Sequence, residues 1–223
     1  ALPISVVKTA VVHPAMVQEM RWNFDGNDVW ADSRGWNGLH PGSGIGSMYY
    51  SEDANRKPNV MKMENKSNRY IAFDGVDDIV EIPIRQMPIG AFTISMDIFP
   101  DGSKGKEQAI ISHTGWQSCP VLQILADGRL QGGQESNKEE NSTKNGICAT
   151  SNDPLPYGVW SHIKMTFDEK TVRLFVNGKL VGTATGKPSR SYGNLRIYLG
   201  GDKDGHALYG KLDNILVSSV VTP

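Results

Sequence analysis

Trp160-Ser161-His162-Ile163-Lys164-Met165-Thr166-Phe167-Asp168 is followed two residues later by Thr171-Val172-Arg173-Leu174-Phe175-Val176-Asn177-Gly178-Lys179-Leu180-Val181-Gly182-Thr183, and this stretch decides the fold. In its first part Ile163, Met165 and Phe167 alternate with His162, Lys164 and Thr166. A period of two sends successive side chains to opposite faces of a strand, one dry and one wet. In its second part the runs Val172 to Val176 and Lys179 to Thr183 are separated by Asn177-Gly178 alone. That pair accepts two consecutive positive φ angles with little strain, so it predicts a type I′ turn and a hairpin.

Outward from the hairpin the same pattern recurs. Phe92 to Phe99 places Phe92, Ile94, Met96 and Ile98 on one face and Thr93, Ser95 and Asp97 on the other; Leu195, Ile197 and Leu199 oppose Arg196 and Tyr198. Further strand signals cover Gln18 to Phe24, Tyr70 to Phe73, Ile79 to Ile84, Gln108 to His113, Val121 to Ala126 and Ala207 to Val220, with turns at Asp74-Gly75, Asp101-Gly102 and Asp127-Gly128. No long stretch carries the i, i+3, i+4, i+7 apolar spacing of a capped helix. About a dozen short strands predict an all-β antiparallel sandwich of the jelly-roll kind. No linker divides the chain, so one domain over 17–223 is expected, with 1–16 an extension carrying Pro3 and Pro14. The stretches 25–66 and 127–158 read as long loops of the kind that carry function.

The 223 residues include 24 Gly, 12 Pro, 23 basic and 24 acidic groups, which excludes collagen-like, strongly disordered and disulfide-dense classes. A formal net charge of −1 gives no global pull toward nucleic acid or an anionic membrane, so neither is expected as a partner. No apolar run reaches the ~20 residues of a spanning helix, and membrane insertion is not expected. Cys119 and Cys148 flank a segment rich in Ser, Asn, Gly and Glu. A disulfide between them would tie down that segment in a secreted chain, and two thiols are the alternative. Asn65-Lys66-Ser67 and Asn141-Ser142-Thr143 match the glycosylation acceptor pattern.

Three ordered segments carry a resemblance: Tyr70-Ile71-Ala72-Phe73-Asp74-Gly75-Val76-Asp77-Asp78-Ile79-Val80-Glu81-Ile82-Pro83 with the strand from Phe92, then Trp160 to Lys179, then Tyr209-Gly210-Lys211-Leu212-Asp213-Asn214-Ile215-Leu216-Val217. With the opening Trp22-Asn23-Phe24-Asp25-Gly26 the chain resembles the laminin-G-like members of the concanavalin A-like lectin/glucanase superfamily over roughly residues 20 to 221. The resemblance implies two antiparallel sheets, one structural and one concave with rim loops. It also implies a structural calcium held by carboxylates near both termini, here Asp25 and Asp213, with backbone carbonyls and Asp28 completing an oxygen shell. It does not choose among lectins, adhesion domains, glycosidases and lyases.

Sugar recognition combines an aromatic platform with directional hydrogen-bonding groups. His113, Trp116 and Gln117 offer one such set, Arg190 and Tyr192 a second, and Trp30, Trp36 and His40 a third; Trp22 and Trp160 are expected in the core. A lyase alternative places His113 or His162 with Gln123, Arg196 and Tyr198 in the concave groove, where one group neutralises a uronate and another removes its α-proton. The Glu-x-Asp-x-x-Glu strand of laminarinase-type glycosidases is absent, as are a Gly-x-Ser-x-Gly elbow, a His-Glu-x-x-His helix and a phosphate loop. Asp74, Asp77 and Asp78 read as a turn. The balance favours a secreted or cell-surface (extracellular or periplasmic) carbohydrate-binding domain, free-standing or part of a larger multidomain protein, with a polysaccharide or glycan as its partner. Calcium-dependent protein adhesion is a further alternative.

Overall fold

A computed structural model describes residues 19–28, 30, 39–41, 57–63, 67–82, 90–114, 119–135, 146–186, 196–202 and 204–222, the backbone alone at 40, 41, 114, 119, 135 and 196. The strands are β1 (Glu19–Trp22), β2 (His40–Pro41), β3 (Asn59–Lys62), β4 (Arg69–Asp74), β5 (Val80–Ile82), β6 (Phe92–Pro100), β7 (Gln108–Thr114), β8 (Cys119–Ile124), β9 (Arg129–Glu135), β10 (Ile147–Pro154), β11 (Ser161–Phe167), β12 (Thr171–Val176), β13 (Lys179–Thr185), β14 (Arg196–Leu199) and β15 (Tyr209–Ser218). Among the described residues there is no helix, hence none long and apolar enough to cross a membrane.

The strands form two antiparallel sheets. Sheet one runs β13-β12-β11-β6-β15-β4-β3 with β1 also on β15, and sheet two runs β10-β9-β8-β7-β14-β5-β2. Alternation builds the core between them: Ile94, Met96, Ile98, Ile163, Met165, Leu174 and Leu212 from sheet one meet Ile82, Ile111, Leu122, Leu130, Ile197 and Leu199 from sheet two, every one of them buried. Trp22, Phe24, Phe73, Phe92 and Phe167 are among its largest side chains, each buried. Burying each such side chain contributes ~2–3 kcal/mol relative to exposure. The Asn177-Gly178 hairpin forms as expected, with φ of 49° and 78°.

Where the sandwich closes, β10 packs against β13, and a Cβ on Gly182 would stand 2.5 Å from the Thr150 carbonyl oxygen. The absent side chain lets two backbones meet.

Three expectations are corrected. The stretch 127–158 is not one long loop: it holds β9 and β10, which pair over Gln131 to Gln134 with Ile147 to Thr150. The stretch 25–66 likewise holds β2 and β3. The cysteines do not form the disulfide. Cys119 pairs with Glu135 and Cys148 with Gly133 on opposite sides of β9, so their Cα atoms lie two strand spacings apart, ~10 Å, beyond the ~7 Å a disulfide spans. Cys148 is accordingly a thiol.

Trp160 is the third correction. It is half-buried and outside the core cluster, packing instead on Tyr70 and Phe99. The face of β6 expected to be wet is also dry at one end. Thr93 Oγ1 donates to the Val220 carbonyl at 2.7 Å and accepts from the Thr222 amide at 3.0 Å, because residues 219–222 fold back over it.

Candidate functional site

Two groups of polar side chains stand out, one on the outer face of each sheet. The first arises from a gap in strand pairing. β15 is flanked by β4 along Tyr209 to Leu212 and by β1 along Ile215 to Ser218, and its register against β6 shifts between Asp213 and Leu216. Asn214 takes a positive φ of 50° at that irregularity. The exit of β1 and the entry of β4 fill the gap: the Arg69 amide donates to Asp25 Oδ1 at 2.6 Å.

Three carboxylates converge there. Asp213 is paired across the strands with Asp97, and both Asp97 and Asp25 act on it electrostatically. Like charges on facing strand positions repel, so each needs compensation. Asp97 has it, from His162 Nδ1 at 2.7 Å and the Asn214 side-chain amide at 2.8 Å. Asp213 is 1 % exposed and receives hydrogen bonds from the Asn214 backbone and the Asn68 side chain. Burial first, and then Asp25 and Asp97, push its carboxyl up to about 7. Thus the two residues expected at a metal, Asp25 and Asp213, are brought into electrostatic reach of each other. Their ligand atoms are oxygen, the type a hard divalent cation takes, but with Asp97 they do not form a set whose oxygens all lie within 4.8 Å of one another.

The turn at Asp74, Asp77 and Asp78 is a different arrangement. Their ligand atoms lie within 4.8 Å of one another, the one such set found among the described residues. The Asp74 amide donates to Asp78 Oδ2 and the Val76 amide to Asp74 Oδ1, both at 2.8 Å, with Gly75 at a φ of 74°. Burial, with smaller contributions from Asp74 and Asp77, pushes Asp78 up to about 6. This is the turn read from the sequence.

The second group lies across sheet two. Gln123 is the partner of Gln131, and Gln131 of Thr150, on adjacent strands β8, β9 and β10. Gln123 Nε2 donates to Gln131 Oε1 at 2.9 Å, and Gln131 Nε2 to Thr150 Oγ1 at 3.1 Å. Their neighbours Leu122, Ile124 and Leu130 point into the core, so the row faces outward and is half-buried. Tyr198 shares this face, on β14 between Ser112 and Glu81, yet it is 0 % exposed and Glu81 is 5 % exposed.

The lyase arrangement is not assembled. His113 is paired with Ile197 and therefore points to the core side of sheet two, where burial pushes its pKa down to about 4. His162 lies on the outer face of sheet one, bound to Asp97. Neither imidazole joins Gln123 and Tyr198 on the outer face of sheet two. Trp116, Gln117, Arg190, Tyr192 and Trp36 lie outside the described residues, as do Asn65, Asn141, residues 1–16 and the side chain of Arg196. Sequence reasoning missed Gln131 and Thr150; it placed Asp97 on the outer face of its strand but not beside Asp213. Strict alternation from Leu130 would have found Gln131, but Gly132-Gly133 hides that strand.

A family model described as concanavalin A-like lectin/glucanases superfamily, of the laminin G group, matches residues 74–222. The chain belongs to this superfamily. No curated protein sequence matches. Among solved structures, domain 4 of AbnA, a GH43 extracellular arabinanase from Geobacillus stearothermophilus in complex with arabinotriose, is similar at a TM-score of 0.62 and 14% identity, covering 93% of this chain and 95% of that one. The Trypanosoma rangeli sialidase gives 0.61 at 11% identity, over 92% of this chain and 30% of the sialidase chain. The binding domain of Botulinum Neurotoxin DC in complex with SialylT gives 0.58 at 12% identity, over 92% and 48%. At these identities the likeness is one of fold; the superfamily member has the sandwich its strands predict.

Proposed function

We propose that this superfamily member is a non-catalytic, extracellular glycan-binding module that reads a polysaccharide with the outer face of sheet two. The observation that carries the reading is the row Gln123, Gln131 and Thr150, held at 2.9 and 3.1 Å by its own sideways hydrogen bonds. Amides fixed this way keep spare donors and acceptors in set directions, which suits adjacent sugar hydroxyls, and little rotamer freedom remains to be lost on binding. Support also comes from similar folds solved in complex with arabinotriose and with SialylT. A calcium ion held by Asp25 and Asp213 belongs to the same reading, as a structural clamp between the two ends of the chain.

One experiment tests both parts. The protein is run in affinity electrophoresis through arabinan, laminarin and alginate, with unsaturated uronate and reducing ends followed in parallel. Retardation without product, weakened in the double variant Gln123→Ala/Gln131→Ala, is the expected result. Product release, or full retardation of the double variant, overturns the assignment. In thermal melts, calcium is expected to raise the midpoint of the wild type over chelator and to leave Asp213→Asn unmoved. A wild type indifferent to calcium removes the metal from the reading.

A further inference from the structure

The outer face of sheet one carries aromatic rings where strand alternation calls for polar side chains. Tyr70 on β4, Phe99 on β6 and Trp160 before β11 come from three separate segments and meet there. Both Tyr70 and Phe99 stand 5.7 Å from the Trp160 ring, at 69° and 64°. In an edge-to-face contact only one of the two rings spends its face on the other, so ring faces remain for a further partner. All three rings are half-buried, not sealed.

The rings do not stand alone. Met61, 48% exposed on β3, lies opposite Tyr70 and extends the apolar strip to the edge of the sheet. Along one side of the strip the Lys211 ammonium sits 4.0 Å over Phe99 and is anchored by Asp101 at 2.5 Å. Along the other, Asp97 and the 48% exposed imidazole of His162 form a bound pair. The strip crosses β3, β4, β15, β6 and the start of β11, about 20 Å at the ordinary strand spacing.

An apolar strip bordered on both sides by charged hydrogen-bonding groups matches a ligand with an apolar face and a hydroxyl rim. A pyranose ring has both. The borders are the Lys211–Asp101 pair and the hydrogen-bonded Asp97–His162 pair, whose donors and acceptors point in set directions and suit ring hydroxyls.

We infer that the outer face of sheet one is a second glycan site, in which Trp160, Tyr70 and Met61 stack against successive pyranose rings while Lys211 and the Asp97–His162 pair bind their hydroxyls. It stands on the opposite side of the sandwich from the Gln123–Gln131–Thr150 row and does not rest on that row. Two outward-facing sites make one molecule bivalent, so it bridges polysaccharide chains.

The test uses Met61→Glu, which puts a charge on an already exposed position and leaves the core untouched, alongside Trp160→Ala. With laminarin, arabinan and alginate as probes, each variant is titrated calorimetrically and mixed with the polymer in a turbidity assay. Expected for the wild type are two sites per protein and a rise in turbidity. Met61→Glu and Trp160→Ala should each retain one site and lose bridging, with affinity at the altered face falling roughly fivefold or more. Gln123→Ala/Gln131→Ala should lose the other site and keep this one. One site per wild-type protein, or Met61→Glu binding both with wild-type affinity, overturns the inference. Loss of all binding in the double glutamine variant also overturns it, by locating every glycan contact on sheet two.

Discussion

His113 sits on β7 across from Ile197 with its ring turned to the core side, and its Nδ1 is buried with no hydrogen-bond partner among the described residues. Burial pushes its pKa down to about 4 from the ordinary 6.5. The unfolded chain therefore binds more protons than the folded one between those two values. The contribution of His113 to stability is fully present above pH 6.5 and is lost as the pH falls toward 4, by at most ~3 kcal/mol. Asp78 and Asp213 act in the opposite sense, since both carboxyls are raised by burial and hold protons longer when folded. The variant must therefore be compared with the wild type at each pH. Urea denaturation of His113→Leu is expected to match or exceed wild-type stability at pH 7 and to lose less on going to pH 4.5. Parallel pH profiles for the two proteins would show that the ring does not titrate there. At this scale the sequence reveals residue type and face but not what covers the face. Tyr198 alternates outward as expected and is nonetheless fully buried, and Trp160, expected inside, lies outside the core.

Gly178 and Gly182 stand four residues apart around one hairpin and need their missing side chains for different reasons. Gly178 has a φ of 78° and open space where a Cβ would go, so alanine there costs only the left-handed backbone, about 1 kcal/mol. Gly182 has an ordinary φ, but its Cβ would stand 2.5 Å from the Thr150 carbonyl, a backbone atom that cannot swing aside. Alanine at 182 must push β13 off β10, at about 3 kcal/mol. Chemical denaturation should rank Gly178→Ala well above Gly182→Ala in stability. The reverse order would mean that turn geometry, not the approach of the two strands, governs this edge. Elements rich in β-branched and aromatic residues, such as β6 and β11, are legible in the sequence because propensity and alternation agree. β9 and β10 are not: Gly132-Gly133 and Ser151-Asn152-Asp153-Pro154 carry turn chemistry, and only pairing with each other and with β8 makes them strands. That is why the glutamine row, which depends on β9, was out of reach while Gln123 was not.

Over the whole molecule the superfamily match and the folding unit have different extents. The family model begins at residue 74, whereas sheet one draws β1, β3 and β4 from residues 19–74. Those strands flank both halves of β15, and they bring Trp22, Phe24, Ile71 and Phe73 into the core. Each is at most 2% exposed in the full chain. Without them β15 loses its partner on one side, and the inner faces of sheet two lose four large neighbours worth ~2–3 kcal/mol apiece by burial alone. Net stabilities of domains are only ~5–15 kcal/mol, so a deficit of that size is comparable with the whole of it. The segment 74–222 alone is therefore expected to be soluble at best as an expanded state, with no near-ultraviolet circular dichroism and no cooperative thermal transition. Residues 17–223 should melt in one transition. A sharp melt in the 74–222 fragment would show that β6, β11 and sheet two form an independent core. The acidic gap at Asp25, Asp97 and Asp213 would then be a later attachment; a fragment that fails to fold makes it the seam that joins the first strands to the last.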